Sequence, residues 1–184
     1  MDTYLTIAAN PFGVPYLRDP SDTNSASYID LKSEPHRIDE IPEARQWDFL
    51  KRLLIRMNTP SSRLMTLGCA TFIYPPEQPQ RPVWQAHAYI GFCFSDLSAN
   101  EDAQSYFPLF FHFTQHHQTQ SDPNTNIIFE LRPTGFYDHH CQGFSVDYTV
   151  KSWAHSEAEL MLHVTQHMDA LHDFLPLMGL TSAA

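Results

Sequence analysis

The sequence predicts one α+β domain over residues 1–184, with a five- to six-stranded antiparallel sheet packed against an N-terminal helix and a long C-terminal helix. A chain of 184 residues has the length of one ordinary domain. Apolar residues recur at helical spacing over residues 41–57 and again over residues 157–175. Between them, over residues 64–152, apolar and polar residues alternate, which is typical of antiparallel strands with one buried face.

The N-terminal part is predicted to contain a short strand, an extended segment and the first helix. Residues 4–8 have strand composition, whereas residues 11–35 are rich in Pro, Asp, Ser and Asn and lack any period, as in an extended surface segment. The helix over residues 41–57 has Pro42 in its first turn, where a missing N–H is tolerated. Its apolar stripe consists of Trp47, Leu50, Leu54 and Met57.

Five strands are predicted in the central region. Non-helical connections between them favour an antiparallel meander. In the second strand the even-numbered residues from Trp84 to Phe94 form the buried face, and in the last strand Phe144, Val146 and Tyr148 do so. Pro108 indicates a bulge or an edge position in the third strand. The five predicted strands cover residues 64–74, 83–94, 106–115, 126–132 and 143–152.

The last helix has the clearest start signal of the chain. Ser156 and Glu159 form an S-x-x-E capping box ahead of an apolar run, and Pro176 follows the predicted end at residue 175. The resulting order, β-α-β5-α, resembles that of helix-grip ligand-binding domains. The resemblance lies in element order alone, without a shared motif, and the same order also suits non-catalytic binding modules.

Charge and cysteine content restrict the function classes. Eleven Lys and Arg against 21 Asp and Glu give a net charge of −10, and a surface of this sign repels nucleic acids and anionic membranes. No apolar run approaches the ~20 residues that span a bilayer, and residues 1–4 do not resemble the start of a secretory signal. Three widely spaced cysteines form neither a disulfide framework nor a metal knuckle. We therefore expect a cytoplasmic protein with reduced thiols.

Motifs for catalysis or cofactor binding are absent from the sequence. There is no phosphate-binding glycine loop, no G-x-S-x-G elbow and no dinucleotide fingerprint, so no catalytic residue is assigned. His163 and His167 have the four-residue helical spacing that can place two imidazoles on one metal. Neither a third ligand nor the Glu of H-E-x-x-H accompanies them, and they lie in or beside the apolar stripe. We expect core or boundary histidines, no metal and no other cofactor.

The leading functional hypothesis is a non-catalytic acidic protein-interaction module, such as an inhibitor, an immunity-type protein, a chaperone-like protein or an accessory subunit. The expected partner is another protein with a basic surface, and a homodimer is compatible with the sequence. Exposed aromatic residues beside charges are common anchors at interfaces. The residues predicted to contact the partner belong to an acidic loop and an aromatic loop: Asp96, Glu101, Asp102, Phe136, Tyr137 and Asp138.

The alternative hypothesis is a small-molecule-binding or catalytic domain with a cavity between the sheet and the C-terminal helix. It rests on the helix-grip-like order and on small residues, Ala86 and Ala88, among large aromatic ones on the predicted inner face. A separate polar patch is predicted on strand positions that project away from the main apolar faces. This patch is either a solvated outer face, a polar pocket, or a docking surface that the N-terminal segment or a partner covers. Its members are His87, His112, Glu130 and Asp147.

Overall fold

A mixed sheet of six strands forms the centre of the computed structural model, which describes residues 2–16, 27–77, 83–117 and 123–182. The α+β class and the long C-terminal helix are as predicted. In chain order the strands and α-helices are β1 (Asp2–Ile7), β2 (Phe12–Val14), α1 (Pro42–Gln46), α2 (Asp48–Met57), β3 (Leu64–Tyr74), β4 (Trp84–Phe94), α3 (Phe107–His117), β5 (Thr125–Phe136), β6 (Cys141–Ala154) and α4 (Glu157–Leu177).

The strands lie side by side in the order β1-β5-β6-β4-β3, and β2 also pairs with β5. The four long strands, β3 to β6, pair with one another in antiparallel orientation, as the alternation predicted. β1 and β2, however, run parallel to β5, so the sheet is mixed, whereas the sequence predicted antiparallel strands. The direction of these strands could not be predicted because more than one hundred residues separate them from β5, which permits either orientation.

The predicted strand over residues 106–115 is wrong, because this segment forms helix α3. Leu109, Phe113 and His117 are buried at intervals of four, the period of a helix, and Pro108 lies in the first turn. The Phe113 ring has edge contacts with rings of the sheet and of α4, at centroid distances of 5.3–5.5 Å. These tertiary contacts outweigh the strand propensity of an aromatic-rich segment. The central strands therefore form two hairpins, β3-β4 and β5-β6, with α3 between them.

The first predicted helix is broken into α1 and α2 at Trp47, whose backbone is extended at φ −127° and ψ 105°. The break permits the Trp47 ring to stack on the ring of Phe49, with the two centroids 6.0 Å apart. α2 nevertheless buries the face that the sequence predicted, with Leu50, Leu54 and Met57 at its centre.

Helix α4 begins at the predicted cap and packs along the sheet. The Ser156 hydroxyl accepts a hydrogen bond from the Glu159 backbone N–H at 3.2 Å. The Glu159 carboxylate in turn accepts one from the backbone N–H of His155, one residue before the position that a capping box uses. The helix continues through Pro176 to Leu177, two residues beyond the predicted end.

The space between the sheet and α4 is filled by packed side chains. Ala88, Phe92 and Val150 are fully buried there, and the buried hydroxyl of Tyr148 donates a hydrogen bond to the carbonyl of His167 at 2.8 Å. A second and smaller apolar cluster covers one end of the opposite face of the sheet. This second cluster contains Val14, Leu67, Cys93 and Phe136. The remainder of that opposite face carries the site described next.

Candidate functional site

A cleft of about 730 Å³ lies on the face of the sheet turned away from α4. The antiparallel strands β3, β4, β6 and β5 form its floor, and residues of the N-terminal segment and of α1, including Tyr16 and Glu43, form part of its wall. Its volume lies in the range typical of small-ligand sites, roughly 300–1,000 Å³. The alternative hypothesis predicted a cavity on the other face, under α4, where the structure has packed core residues instead.

Strand alternation brings three of the four predicted patch residues together in the cleft. His87 on β4 is opposite Lys151 on β6, and Asp147 on β6 is opposite Glu130 on β5. His87, Glu130 and Asp147 line the cleft together with Lys151, so these three residues lie in a pocket rather than on a flat outer face. His112 does not belong to it, because the segment that carries it is helix α3 and its side chain is exposed on the other side of the sheet.

An ion network crosses the floor of the cleft, with one guanidinium between two carboxylates. Arg132 Nη2 lies 2.9 Å from Glu130 Oε2, and Arg132 Nε lies 2.8 Å from Asp147 Oδ2. The Nε–H makes no well-aligned hydrogen bond, so its contact with Asp147 is an ion pair. Burial raises the pKa of Asp147 to about 6, an effect that Arg132 opposes and Glu130 reinforces.

The position of the Asp147 carboxylate depends on a glycine in the neighbouring strand. A Cβ atom at Gly91 would lie 2.6 Å from Asp147 Oδ1, closer than van der Waals contact permits. The Asp147 side chain is only 16% exposed. The Arg132 contact is to Oδ2, and no residue in the part of the chain that the structure describes donates a hydrogen bond to Oδ1. Oδ1 is thus available to a hydrogen-bond donor that enters the cleft.

Aromatic rings line the cleft. On its floor the His87 ring lies between those of Phe72 and Tyr89, at centroid distances of 6.2 and 6.4 Å. On its wall the Tyr16 ring contacts Phe12, with centroids 5.5 Å apart, and its hydroxyl lies over Gly68, 3.1 Å from where a Cβ would be. Burial is the main cause that raises the pKa of Tyr89 to about 12, and it raises that of Tyr16 further. Both phenols are therefore neutral hydrogen-bonding groups at pH 7.

The charges of the cleft are not matched pairwise. Glu43 and Lys151 line it, and neither forms an ion pair with a described residue. Burial lowers the pKa of His87 and Lys151 lowers it further, against the opposing effect of Glu130, so this imidazole is neutral at pH 7. The described residues therefore present three carboxylates and two cations to the cleft, and two of the carboxylates share Arg132.

The predicted interaction residues meet at one end of the sheet. The loop of residues 96–102 packs against the start of β6, where a Cβ at Gly143 would lie 2.7 Å from the carbonyl oxygen of Asn100. Asp96 and Asp102 are exposed but also accept hydrogen bonds from backbone N–H groups within the loop. Glu101 is exposed in the same loop.

The aromatic loop contributes one exposed ring to this end of the sheet. Tyr137 is 64% exposed, and its ring lies across Gly13 and Gly135, which leave room for it. Asp138 beside it is also exposed, but Phe136 is buried in the second cluster and is not available to a partner. Of the two predicted aromatic anchors, Tyr137 is therefore the one at the surface.

The two histidines weighed as metal ligands have other neighbours. His167 is buried, and its Nδ1 lies 3.0 Å from Nε2 of His117 on α3. His163 Nδ1 lies 3.4 Å from the Ser152 hydroxyl. No group of three or more His, Cys, Asp or Glu residues within the described ranges could hold a metal ion. The sequence did not reveal the His117–His167 pair because residues 106–115 were predicted as a strand.

Comparison with known proteins adds no family assignment. No protein-family model, curated protein or solved structure matches the chain. Among the described residues, no helix is long and apolar enough to cross a membrane. The functional argument therefore depends on the geometry of the cleft and of the loops beside it.

Proposed function

We propose that the protein is a non-catalytic binding module whose cleft receives a segment of a partner protein. The observation that carries this proposal is the cleft itself, in which aromatic side chains surround a half-buried ion network whose Asp147 Oδ1 atom is available to a further hydrogen-bond donor. Large aromatic side chains next to polar groups dominate the binding energy at protein interfaces. The cleft floor spans four strands, which is about 14 Å at the usual strand separation. This width accommodates a short extended segment of chain.

Among the described residues, the thiols and the Tyr89 phenol in and beside the cleft are not activated for covalent chemistry. Burial raises the pKa values of the Cys69 and Cys93 thiols to about 12, so both are protonated at pH 7. The protonated thiol is a weak nucleophile. Tyr89, with its pKa also raised to about 12, is not a base at neutral pH. This chemistry favours binding over catalysis.

The loop end of the sheet is the second element of the proposed interface. The second cluster joins it to the cleft, because Phe12 packs on that cluster and also lines the cleft. Exposed carboxylates at Asp96, Glu101 and Asp138 suit a partner with a basic surface, and Tyr137 supplies an aromatic anchor. A partner that fills the cleft would therefore also contact these loops.

A small-molecule ligand is the second candidate, and the cleft volume favours it. A free ligand of drug-like size would fit a site of about 730 Å³. Such a ligand would use the cleft without the loop residues. Substitutions at Tyr137 therefore distinguish the two candidates, because they weaken binding of a partner protein and leave binding of a small ligand unchanged.

Site-specific photo-cross-linking in the source cells tests the proposal. The photoreactive residue benzoyl-phenylalanine replaces Phe72 at the cleft, or Leu162 on the outer face of α4 as a control of similar exposure, 48% against 54%. We expect one polypeptide to be cross-linked from Phe72 and not from Leu162. Adding Ala70→Trp, which fills the cleft, should abolish that adduct.

Each possible result of the cross-linking bears on the proposal. Equal adducts from both positions, or an adduct that survives Ala70→Trp, would contradict it. A small adduct in native mass spectrometry that Ala70→Trp removes, without any cross-linked polypeptide, would favour the small-molecule candidate instead.

A further inference from the structure

We infer that the cleft binds a cationic side chain, an arginine or a lysine of the partner segment, against the carboxylates of Asp147 and Glu130. This inference rests on the proposed function and names the chemistry of the segment that the cleft would hold. Three independent features lead to it: the excess of carboxylates, an unpartnered oxygen among them, and the aromatic rings that surround them.

The charge balance of the cleft favours a cation. Arg132 is shared between Glu130 and Asp147, so one positive charge faces two negative ones at this point. Glu43 adds a third carboxylate from the wall. Lys151 lies four residues along β6 from Asp147, about 13 Å away at the usual rise per strand residue. Among the described residues, the negative end of the cleft therefore has no cation other than Arg132.

The unpartnered Oδ1 atom of Asp147 marks where the cation would bind. It faces the backbone of Gly91, where the absence of a side chain leaves space for the carboxylate. Its partner oxygen, Oδ2, is already in contact with Arg132, and no described residue donates a hydrogen bond to Oδ1. A charged N–H donor of a ligand would form a hydrogen bond with Oδ1. Charge-assisted hydrogen bonds of this type are about twice as strong as neutral ones.

The surrounding rings suit a cation better than an anion. Tyr89 and Tyr16 carry neutral phenols at neutral pH, and their ring faces attract positive charge. An anionic ligand would instead meet Glu43, Glu130 and Asp147 together. The partner segment is thus expected to insert a basic side chain, in agreement with the acidic loops at the end of the sheet.

Titration with a matched pair of small probes tests this inference. N-acetyl-arginine methylamide carries the cation, and N-acetyl-citrulline methylamide is its neutral isostere. Binding is followed by the backbone amide chemical shifts of Gly68 and Gly91 in the ¹⁵N-labelled protein. We expect the arginine compound to bind at least about tenfold more tightly, because citrulline keeps N–H donors but lacks the positive charge that strengthens a hydrogen bond to a carboxylate.

Two variants locate the charge that is recognised. Asp147→Asn keeps the size of the side chain and should bring the two probes to within about twofold of each other, whereas Phe111→Ala on the opposite side of the sheet should leave the preference unchanged. Should Asp147→Asn fail to fold, Glu43→Gln on the wall provides the second variant and should reduce the preference in the same direction.

The outcomes separate this inference from the function on which it rests. Equal binding of the two probes, or an arginine preference that persists in Asp147→Asn, would overturn the cationic anchor. If neither probe changes the amide chemical shifts of Gly68 and Gly91, but the protein still cross-links to a partner from position 72, the cationic anchor is also overturned. The proposed binding function would then stand. Unaffected amides together with failed cross-linking would overturn both.

Discussion

The substitution Asp147→Asn is expected to stabilise the protein at neutral pH, although it removes one member of an ion pair. The pKa of Asp147 is raised from its ordinary value of 3.8 to about 6, so the folded state favours the protonated carboxyl. The ionised form is therefore penalised in the folded protein above pH 6, and the penalty disappears below pH 3.8. Asparagine cannot ionise and avoids the penalty at pH 7.

The magnitude follows from the two pKa values. A difference between 3.8 and about 6 corresponds to about 3 kcal/mol of unfolding free energy. This figure already contains the attraction of Arg132, because that attraction opposes the rise of the pKa. Since the side chain is 16% exposed, we expect a measured gain of about 1–3 kcal/mol at pH 7.

The His117–His167 pair makes the pH dependence more informative. Burial, together with His167 and His116, lowers the pKa of His117 from 6.5 to about 4. Its contribution to stability is complete above pH 6.5 and is lost as the pH falls towards 4, by about 3 kcal/mol. Asp147 has the opposite effect, because the penalty for its ionisation disappears as the pH falls from about 6 to 3.8 and the protein gains stability. The two effects largely cancel in the wild-type protein, and Asp147→Asn should reveal the loss due to His117.

Urea unfolding at pH 4.5, 5.5, 6.5 and 7.5, followed by the fluorescence of Trp47, Trp84 and Trp153, measures these effects. The difference between Asp147→Asn and wild type should be largest at pH 7.5 and should shrink at pH 4.5. A variant that is less stable than wild type at pH 7.5, or a difference that does not change with pH, would refute the reasoning.

Two further predictions concern packing on the two faces of the sheet. Gly91→Ala should destabilise the protein by about 1–3 kcal/mol, because the new Cβ would lie 2.6 Å from Asp147 Oδ1. In a double-mutant cycle, the loss of stability caused by Gly91→Ala should be smaller in an Asp147→Gly background. Phe113→Ala should cost about 3–5 kcal/mol in urea unfolding, whereas Phe111→Ala, exposed on the same helix, should change stability by less than about 0.5 kcal/mol. Similar effects of the two phenylalanine substitutions would contradict the assignment of α3.

Strand alternation was the most informative signal in the sequence. It located β3, β4 and β6 closely, and it also placed His87, Glu130 and Asp147 on one face, because side chains two residues apart must share a face. In the structure, the pairing of β4, β6 and β5 brings these three side chains together in the cleft. Its wall could not be predicted, since residues 11–35 lack a period and give no indication that Tyr16 lies over Gly68.

Helix α3 shows where local sequence preference fails. Its aromatic residues favour a strand, but the burial of Leu109, Phe113 and His117 at intervals of four determines a helix. That spacing was present in the sequence and predicts the helix once aromatic propensity is given less weight. His112 was placed in the polar patch through this same error, because a helical residue there lies on the other side of the sheet.

The two faces of the sheet differ in a way that local packing does not require. The face under α4 buries apolar side chains, whereas the opposite face holds a carboxylate whose ionisation costs stability at neutral pH. A chain selected for stability alone would place a neutral residue opposite Gly91, as Asp147→Asn would do. Binding sites commonly keep such unfavourable charges because the ligand compensates them. The stability cost expected for Asp147 at pH 7 agrees with the proposal that the cleft binds a cationic group of a partner.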